Sequence, residues 1–523
     1  MTDKTALLTE FSTFADAQAQ FRKDRLWDLL DGDEGHLNLA HECVDRHAPS
    51  DETAVLIAHA EGRDERISWS ELAAASSRVA HHLAANGVVK GDRVALMLDP
   101  GLPFYACLFG ILKAGAVVVP LFTLFGPEAI AVRLREAGAR LILTNAGKAS
   151  EALEAGQCPV QVVDADFLVS LSSLPDRFET QTCADDPAIL QFTSGTTRDI
   201  PAAVMQRHKS IVILLMSALY ATGIRPGDRF FSPSSPGWSH GLWPGTLSPL
   251  ALGVPTGTIA GKFDPVRLLH ALSEHKITNM TAAATHYRMI RNSGAAETMP
   301  FALKKLSFGG EPMDDMTADY IQTVFGCPAC SIYGNSEVGA ILVHYPGATD
   351  LEVRPGSLGK PLPGVKVEVH DAQGNRCAPN VVGELVVLRR GDWLQTKDLG
   401  REDADGYFYY AGRADDVIIS AGYTISAIEV ENVILQHPDV QEVGVIGVPD
   451  ALRGLVVAAF VIAGRPESAG FAEEIRDIVR DRLGRHEYPR KVMFISDLPK
   501  NPAGKIDRRK LRAQAATLAP AEA

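Results

Sequence analysis

The chain is predicted to be an α/β protein: a large N-terminal domain of stacked, mainly parallel sheets with helices plus a small β subdomain, then a small α+β lid domain at the C-terminal end. Three observations predict this. Residues 66–145 alternate helix-like segments with continuous β-branched runs, residues 356–412 change to short strands and turns, and strand and helix signals start afresh beyond Gly412.

In the first region the order is ISWSELAAASSRVAHHLAANG, DRVALML, PFYACLFGILKAG, AVVVPL and EAIAVRLREAGARLILT. Uninterrupted apolar strands between helices are buried on both faces, as strands of parallel sheets are. A similar alternation over 208–335, with NMTAAAT and KKLSFGG between helical stretches, reads as a second sheet layer of the same unit. VKVEVHDAQGN, GELVVL and GYFYYAG supply the β subdomain, about 356–412. EVGVIGV, VVAAFVIAG and FAEEIRDIVRDRLG supply the second domain, which gives 1–412 and 413–523 as the expected division. There is no internal repeat, and only AQAATLAPAEA reads as a loose tail.

A chain of 523 residues is too long for one ordinary core, and 46% apolar with 22% charged residues is a globular composition. The first residues carry acidic groups and no sustained apolar core, so export is not expected. Tyr105 to Phe125 is apolar over the length of a bilayer span. Lys113 sits near its middle, where insertion would cost about 2.5 to 3.5 kcal/mol, and Gly115 and Pro120 interrupt it. A buried helix followed by a core strand is expected instead, with no membrane span. Seven scattered cysteines fit a reducing, cytoplasmic setting. Cys327 and Cys330 form a CxxC with no second pair, and read as small apolar residues entering a core strand. A net charge of -13 argues against nonspecific nucleic-acid binding and leaves room for phosphate ligands met by local positive charge. Arg480 to Arg512 is such a patch, with eleven Lys or Arg against four Asp or Glu.

The strongest local signal is LQFTSGTTRDIPAAV, where a strand end runs into Thr193, Ser194, Gly195, Thr196 and Thr197. Hydroxyls and one glycine in a loop can aim donors at phosphate oxygens, although such a cluster by itself is an ordinary loop. Here it opens an ordered series: GGEPM at Gly309–Met313, YGNSEVG at Tyr333–Gly339, TKDLG at Thr396–Gly400, GRADDVIISAGYTISAIEVE from Gly412, and PKNPAGKIDR ending at Arg508. Together these motifs resemble the adenylate-forming superfamily of acyl-CoA synthetases, nonribosomal-peptide adenylation domains and beetle luciferases, over roughly residues 50 to 512.

The resemblance implies an AMP-forming acid–thiol ligase with ATP, Mg2+, coenzyme A as co-substrate and a small-molecule carboxylic acid. Physical roles agree with it. Tyr333 offers a flat face to adenine, and the Gly309–Gly310 turn would admit the base edge closely, beside Glu311, Pro312, Gly334 and Asn335. Glu337 is suited to hold Mg2+ by the phosphates, and Ser336 keeps a hydroxyl where the family usually has threonine. Asp398 can accept both ribose hydroxyls, with Arg413 donating from the other side. Lys505, in the NPAGK loop, would stabilise charge building on the α-phosphate as a carboxylate attacks. Asp415 matches the family hinge, about which the mobile small domain swings to present either Lys505 or the Ala421–Gly422–Tyr423 loop that lines the pantetheine route. Trp238, His240, Gly241, Thr285 and His286, with Gly309 and Gly339, fall where the family builds its acyl pocket. Trp238 suggests a short or compact acid, and the histidines an aromatic or hydroxylated one; short, medium-chain and aryl acids are all in range.

Several positions depart from the family pattern. Arg198 stands for a glycine of TSGTTGxPKG, and with one inserted residue Ala202 stands for its lysine; Arg198 is expected to restore the lost positive charge. Lys397 replaces the glycine of TGDLG, and Thr424 an arginine found after GY or GH. Two other readings are a stand-alone adenylation domain loading a carrier protein and a catalytically silent nucleotide-binding relative. GNSEVG spaces its glycines wrongly for a serine-hydrolase turn. The oligomeric state is left open, a homodimer included.

Overall fold

Among the described residues, strands form sheets of thirteen, six and five. The computed structural model describes residues 11–60, 62, 64–192, 203–335, 338–413, 418–420, 423–450, 454–483, 487–500 and 506–518.

The six-stranded sheet contains the apolar runs of the first region. Its order is Val160–Val162, Leu141–Thr144, Arg93–Met97, Val117–Pro120, Pro187–Phe192, Ala203–Arg207. All pairs are parallel except the last, where Ala203–Arg207 returns antiparallel along Pro187–Phe192. The buried helix expected before Val117–Pro120 is Leu102–Lys113. Gly115, at φ 72, turns the chain between them, a conformation that side-chain-bearing residues rarely adopt.

Lys113 is fully buried, yet its ammonium is satisfied. Nζ lies 2.6 Å from Asp45 Oδ1 and donates to Ala73 O (3.0 Å) and Ser77 Oγ (2.9 Å). Burial lowers its pKa and Asp45 opposes that shift. Replacing it with methionine would leave the Asp45 carboxylate without its counter-charge. Lys113→Met is therefore expected to cost about 3 kcal/mol, read from urea unfolding midpoints at neutral pH.

The thirteen-stranded sheet contains the second alternating region. Phe230–Phe231, Asn279–Ala283, Lys305–Gly309 and Ala329–Asn335 run parallel at its centre. The sheet then turns antiparallel through Gly339–Val343 and Ser357–Pro361 into the meander Phe408–Arg413, Asp392–Glu402, Gly383–Arg389 and Val367–His370. The expected β subdomain is thus hydrogen-bonded to the large sheet through Ser357–Pro361. Cys327 and Cys330 are buried where the chain enters Ala329–Asn335, and all seven cysteines are free.

In the third sheet Gly454–Ala463 pairs with Val440–Asp450 on one side, and with Ile418–Ser420 and parallel Lys491–Phe494. Helices Ala427–Ile434 and Ala469–Arg482 bury Val430, Ile434, Phe471 and Ile475 in one cluster with that sheet. Among the described residues no helix is long and apolar enough to cross a membrane.

Candidate active site

The site begins at a strand end that only glycine can form. A Cβ at Gly334 would collide with the Gly339 carbonyl, and the register shifts between Tyr333 and Gly334. Asn335 then ties the neighbouring strand in: its Nδ2 donates to Thr396 O (3.2 Å) and its Oδ1 accepts from Val338 N (3.1 Å).

Across the sheet Asp398 pairs in register with Arg413, whose Nη1 is 3.7 Å from Asp398 Oδ1. The Tyr333 hydroxyl donates to Asp398 Oδ2 at 2.7 Å, and Tyr410 donates to Oδ1 at 3.4 Å. Asp398 is buried, and its N–H donates to Thr396 Oγ1 at 3.2 Å. Burial, with Asp398 next in effect, pushes the Tyr333 phenol far above its ordinary pKa, so it stays a hydroxyl donor. Lys397, the residue standing for the family glycine, sits at φ 63. That left-handed geometry explains the usual glycine, and the lysine bears a cost of about 1 kcal/mol. Its N–H donates to Glu384 Oε1 at 3.0 Å.

Gly310 is also left-handed, at φ 93, so the GGEPM turn exposes its backbone. Glu311 is held by Arg288, whose Nη2 is 2.5 Å from Oε1, and accepts from the Thr285 hydroxyl. Arg288 was not singled out from the sequence, although the i, i+3 spacing with Thr285 on Ala284–Ser293 was the available signal. Thr285 and His286 diverge, because adjacent helix residues point about 100° apart. Thr285 lines the main cavity, whereas His286 is not part of its wall and packs on Phe263 at 4.3 Å between ring centroids.

His240 is gripped through both ring nitrogens, Nδ1 3.1 Å from Ser234 Oγ and Nε2 3.2 Å from Thr281 Oγ1. The Trp238 ring lies 5.3 Å from it. A Cβ at Gly241 would strike the Ser234 and Ser235 carbonyls, so this glycine permits packing and does not line the cavity. Trp243, which sequence reasoning passed over for Trp238, donates from Nε1 to Gln191 Oε1 at 3.1 Å, and both line the cavity. Trp243 opens a π-helical turn, Trp243–Leu247, a geometry often found at functional sites.

These groups share a cavity of about 1750 Å³. Tyr333, Asp398, Arg413, Gly309, Gly310, Glu311, Pro312, Trp238, His240, Gly334, Asn335 and Gly339 all line it, and Lys500, Ile506 and Arg508 contribute from the C-terminal side. Arg508 is positioned by Glu431, with Nη2 2.6 and 2.8 Å from its two oxygens. Among the described lining residues eleven are Lys or Arg and five Asp or Glu, so a chain of net charge -13 concentrates positive charge here. A polyanionic ligand is favoured by that field.

Thr193, Ser194, Gly195, Thr196, Thr197, Arg198, Ala202, Ser336, Glu337, Asp415, Ala421, Gly422 and Lys505 lie outside the described residues, as do the side chains of Tyr423 and Thr424. Phe192, Val204, Asn335, Val338, Lys500 and Ile506, which flank three of those segments, line the one cavity.

On the strand of Tyr333, the Ser331 N–H donates to Nδ1 of the buried His344 (3.0 Å), and burial pushes the pKa of that histidine down to about 4. His208 accepts Leu39 N–H likewise and is also lowered to about 4. Both are neutral when folded, whereas the unfolded chain takes up these protons below about pH 6.5. Their contribution is complete above that pH and is lost as pH falls towards 4, by up to about 1.4 kcal/mol per pH unit per histidine. Urea unfolding at pH 7, 6 and 5 should show this slope, and His344→Asn should flatten it.

Fold and site together suit an enzyme that binds an anionic, hydroxyl-bearing ligand. The chain belongs to the AMP-binding enzyme family: that family model matches residues 42–393, and the AMP-binding enzyme C-terminal domain matches residues 429–505. It is 31% identical to an uncharacterized acyl-CoA ligase, YtcI, of Bacillus subtilis over 91% of this chain and 95% of that one. It is 29% identical to acetyl-coenzyme A synthetase of the same organism, over 92% and 91%. The crystal structure of an acyl-CoA synthetase from Brucella canis matches with a TM-score of 0.76 and 31% identity, over 97% of this chain and 99% of the other. The chain is accordingly an enzyme of the acyl-CoA synthetase group, for which ATP and CoA are substrates.

Proposed function

We propose that this enzyme converts a carboxylic acid and MgATP to acyl-AMP and diphosphate, then transfers the acyl group to the CoA thiol, releasing AMP and a proton. The observation that carries this reading is the buried Asp398 carboxylate, faced by Tyr333 and Arg413 in a cationic cavity. Asp398 would accept the two ribose hydroxyls, Tyr333 would lie against adenine, and the Gly309–Gly310 turn would border the base. The loop 193–197 with Arg198, and Ser336, would receive the phosphates. Bound Mg2+ would neutralise phosphate charge, and Glu337 would hold it; Asn335 and Val338, on either side of that segment, both line the cavity. Lys505 would meet the α-phosphate.

Lys500 and Ile506 pair with each other and line the cavity. That arrangement suits adenylation. Thioester formation would then require the small domain, 413–523, to turn about Asp415 and bring the Gly422 loop to the acyl-AMP. All the groups invoked come from one chain, so no second copy is required. Seven free cysteines suit the cytoplasm.

Trp238, whose ring lies 5.3 Å from that of His240, and Trp243 both line the cavity, which favours a compact acid: short, medium-chain or aryl. Purified enzyme should release AMP in a CoA-dependent way with at least one member of a panel from acetate through octanoate to benzoate. No AMP with any acid would overturn the reading, and ATP binding without diphosphate formation would indicate a silent relative.

A further inference from the structure

The N-terminal segment, which precedes the matched family region, forms one wall of the same cavity. Helix Phe14–Gln20 is anchored at its start by Asp350, which accepts from the N–H groups of Phe14 (2.5 Å) and Ala15 (3.0 Å). Gln18 Nε2 donates to the Tyr345 hydroxyl at 2.8 Å and to Pro361 O at 2.9 Å. Phe14 packs edge-on against Tyr345, and Phe21 against Tyr220. These ties hold the following 3-10 helix, Lys23–Leu29, so that Phe21, Lys23 and Leu26 line the cavity with Ile213, a half-exposed apolar side chain.

Lys23 is exposed there, and its acidic neighbours are already engaged: Asp24 with Arg22 at 2.7 Å, Asp28 with Arg25 at 2.5 Å. Among the described residues Lys23 forms no ion pair. An ammonium is a compact point charge that suits a phosphate or carboxylate, and the neighbouring Phe21, Leu26 and Ile213 suit either the chain of a dicarboxylic acid or the face of an adenine ring.

We propose that Lys23 binds an anionic group at the remote end of an organic substrate, making the N-terminal segment part of the substrate site. This rests on the acyl-CoA ligase reading. The anion is either the 3′-phosphate of CoA or a second carboxylate on the acid, and the test separates the two.

Lys23→Gln in the full-length enzyme is expected to raise the KM for one organic substrate about fivefold, with KM for ATP unchanged and Lys23→Arg within twofold of wild type. If CoA is the source, the penalty disappears with dephospho-CoA. If the acid is the source, it appears in CoA-free ATP–diphosphate exchange with an ω-carboxylated acid and not with the monocarboxylate of the same length. KM values for CoA and for the ω-carboxylated acid both within twofold of wild type, or a KM for ATP that rises in step, would overturn the proposal. Wild-type exchange without CoA-dependent AMP release would defeat the CoA reading alone, since the acid arm still decides Lys23. A wild-type enzyme with no exchange for any acid would defeat both.

Discussion

Lys505→Ala should slow acyl-adenylate formation by about 10² to 10³-fold, the scale of losing one group aimed at developing charge, while transfer from supplied acyl-AMP to CoA changes less than about twofold. The asymmetry is the informative part. In the first half-reaction the carboxylate and the α-phosphate are both anionic, and charge accumulates as the new P–O bond forms and the bond to diphosphate breaks. In the second half-reaction the thiol attacks a carbonyl carbon, and the proposed rotation has withdrawn the lysine. Single-turnover formation of acyl-AMP, and single-turnover conversion of acyl-AMP with CoA, separate the steps. Equal loss in both would mean that Lys505 serves folding or domain contact instead.

Asp398→Ala should raise the KM for ATP about 100-fold, as expected for removing hydrogen bonds between a carboxylate and two hydroxyls at about 1.5 kcal/mol or more each. Part of this comes from the site itself, because Tyr333 and Arg413 lose the acceptor they now share. Asp398→Asn, which retains one acceptor oxygen, should lose less. The control is 2′-deoxy-ATP, which lacks one of the two hydroxyls: wild type should lose affinity for it, and the alanine variant should discriminate far less. An alanine variant that discriminates as wild type does would remove Asp398 from the ribose site.

Part of the cavity lining was legible because the motifs are contiguous. Tyr333 to Gly339, Gly309 to Met313 and Thr396 to Gly400 are short stretches whose residue types are set by backbone demands and by ligand chemistry. Even a departure could be read: Lys397 occupies the left-handed position that explains its usual glycine. Partners brought together across the fold were not legible. Arg288 on Glu311, Gln191 on Trp243 and Tyr410 on Asp398 join residues 23, 52 and 12 positions apart, and no local pattern reports such pairings. His286 shows the converse error, since sequence proximity to Thr285 does not survive the rotation of a helix.

By itself, then, the sequence determined the α/β class and the family, since apolar periodicity and contiguous motifs are local properties of the chain. The tertiary structure decided which members of each motif face a common cavity, how Lys113 is neutralised inside the core, and that the N-terminal segment joins the wall of that cavity. Those outcomes depend on which distant side chains exclude water together and share hydrogen bonds, and burial of that kind exists only once the sheets have packed.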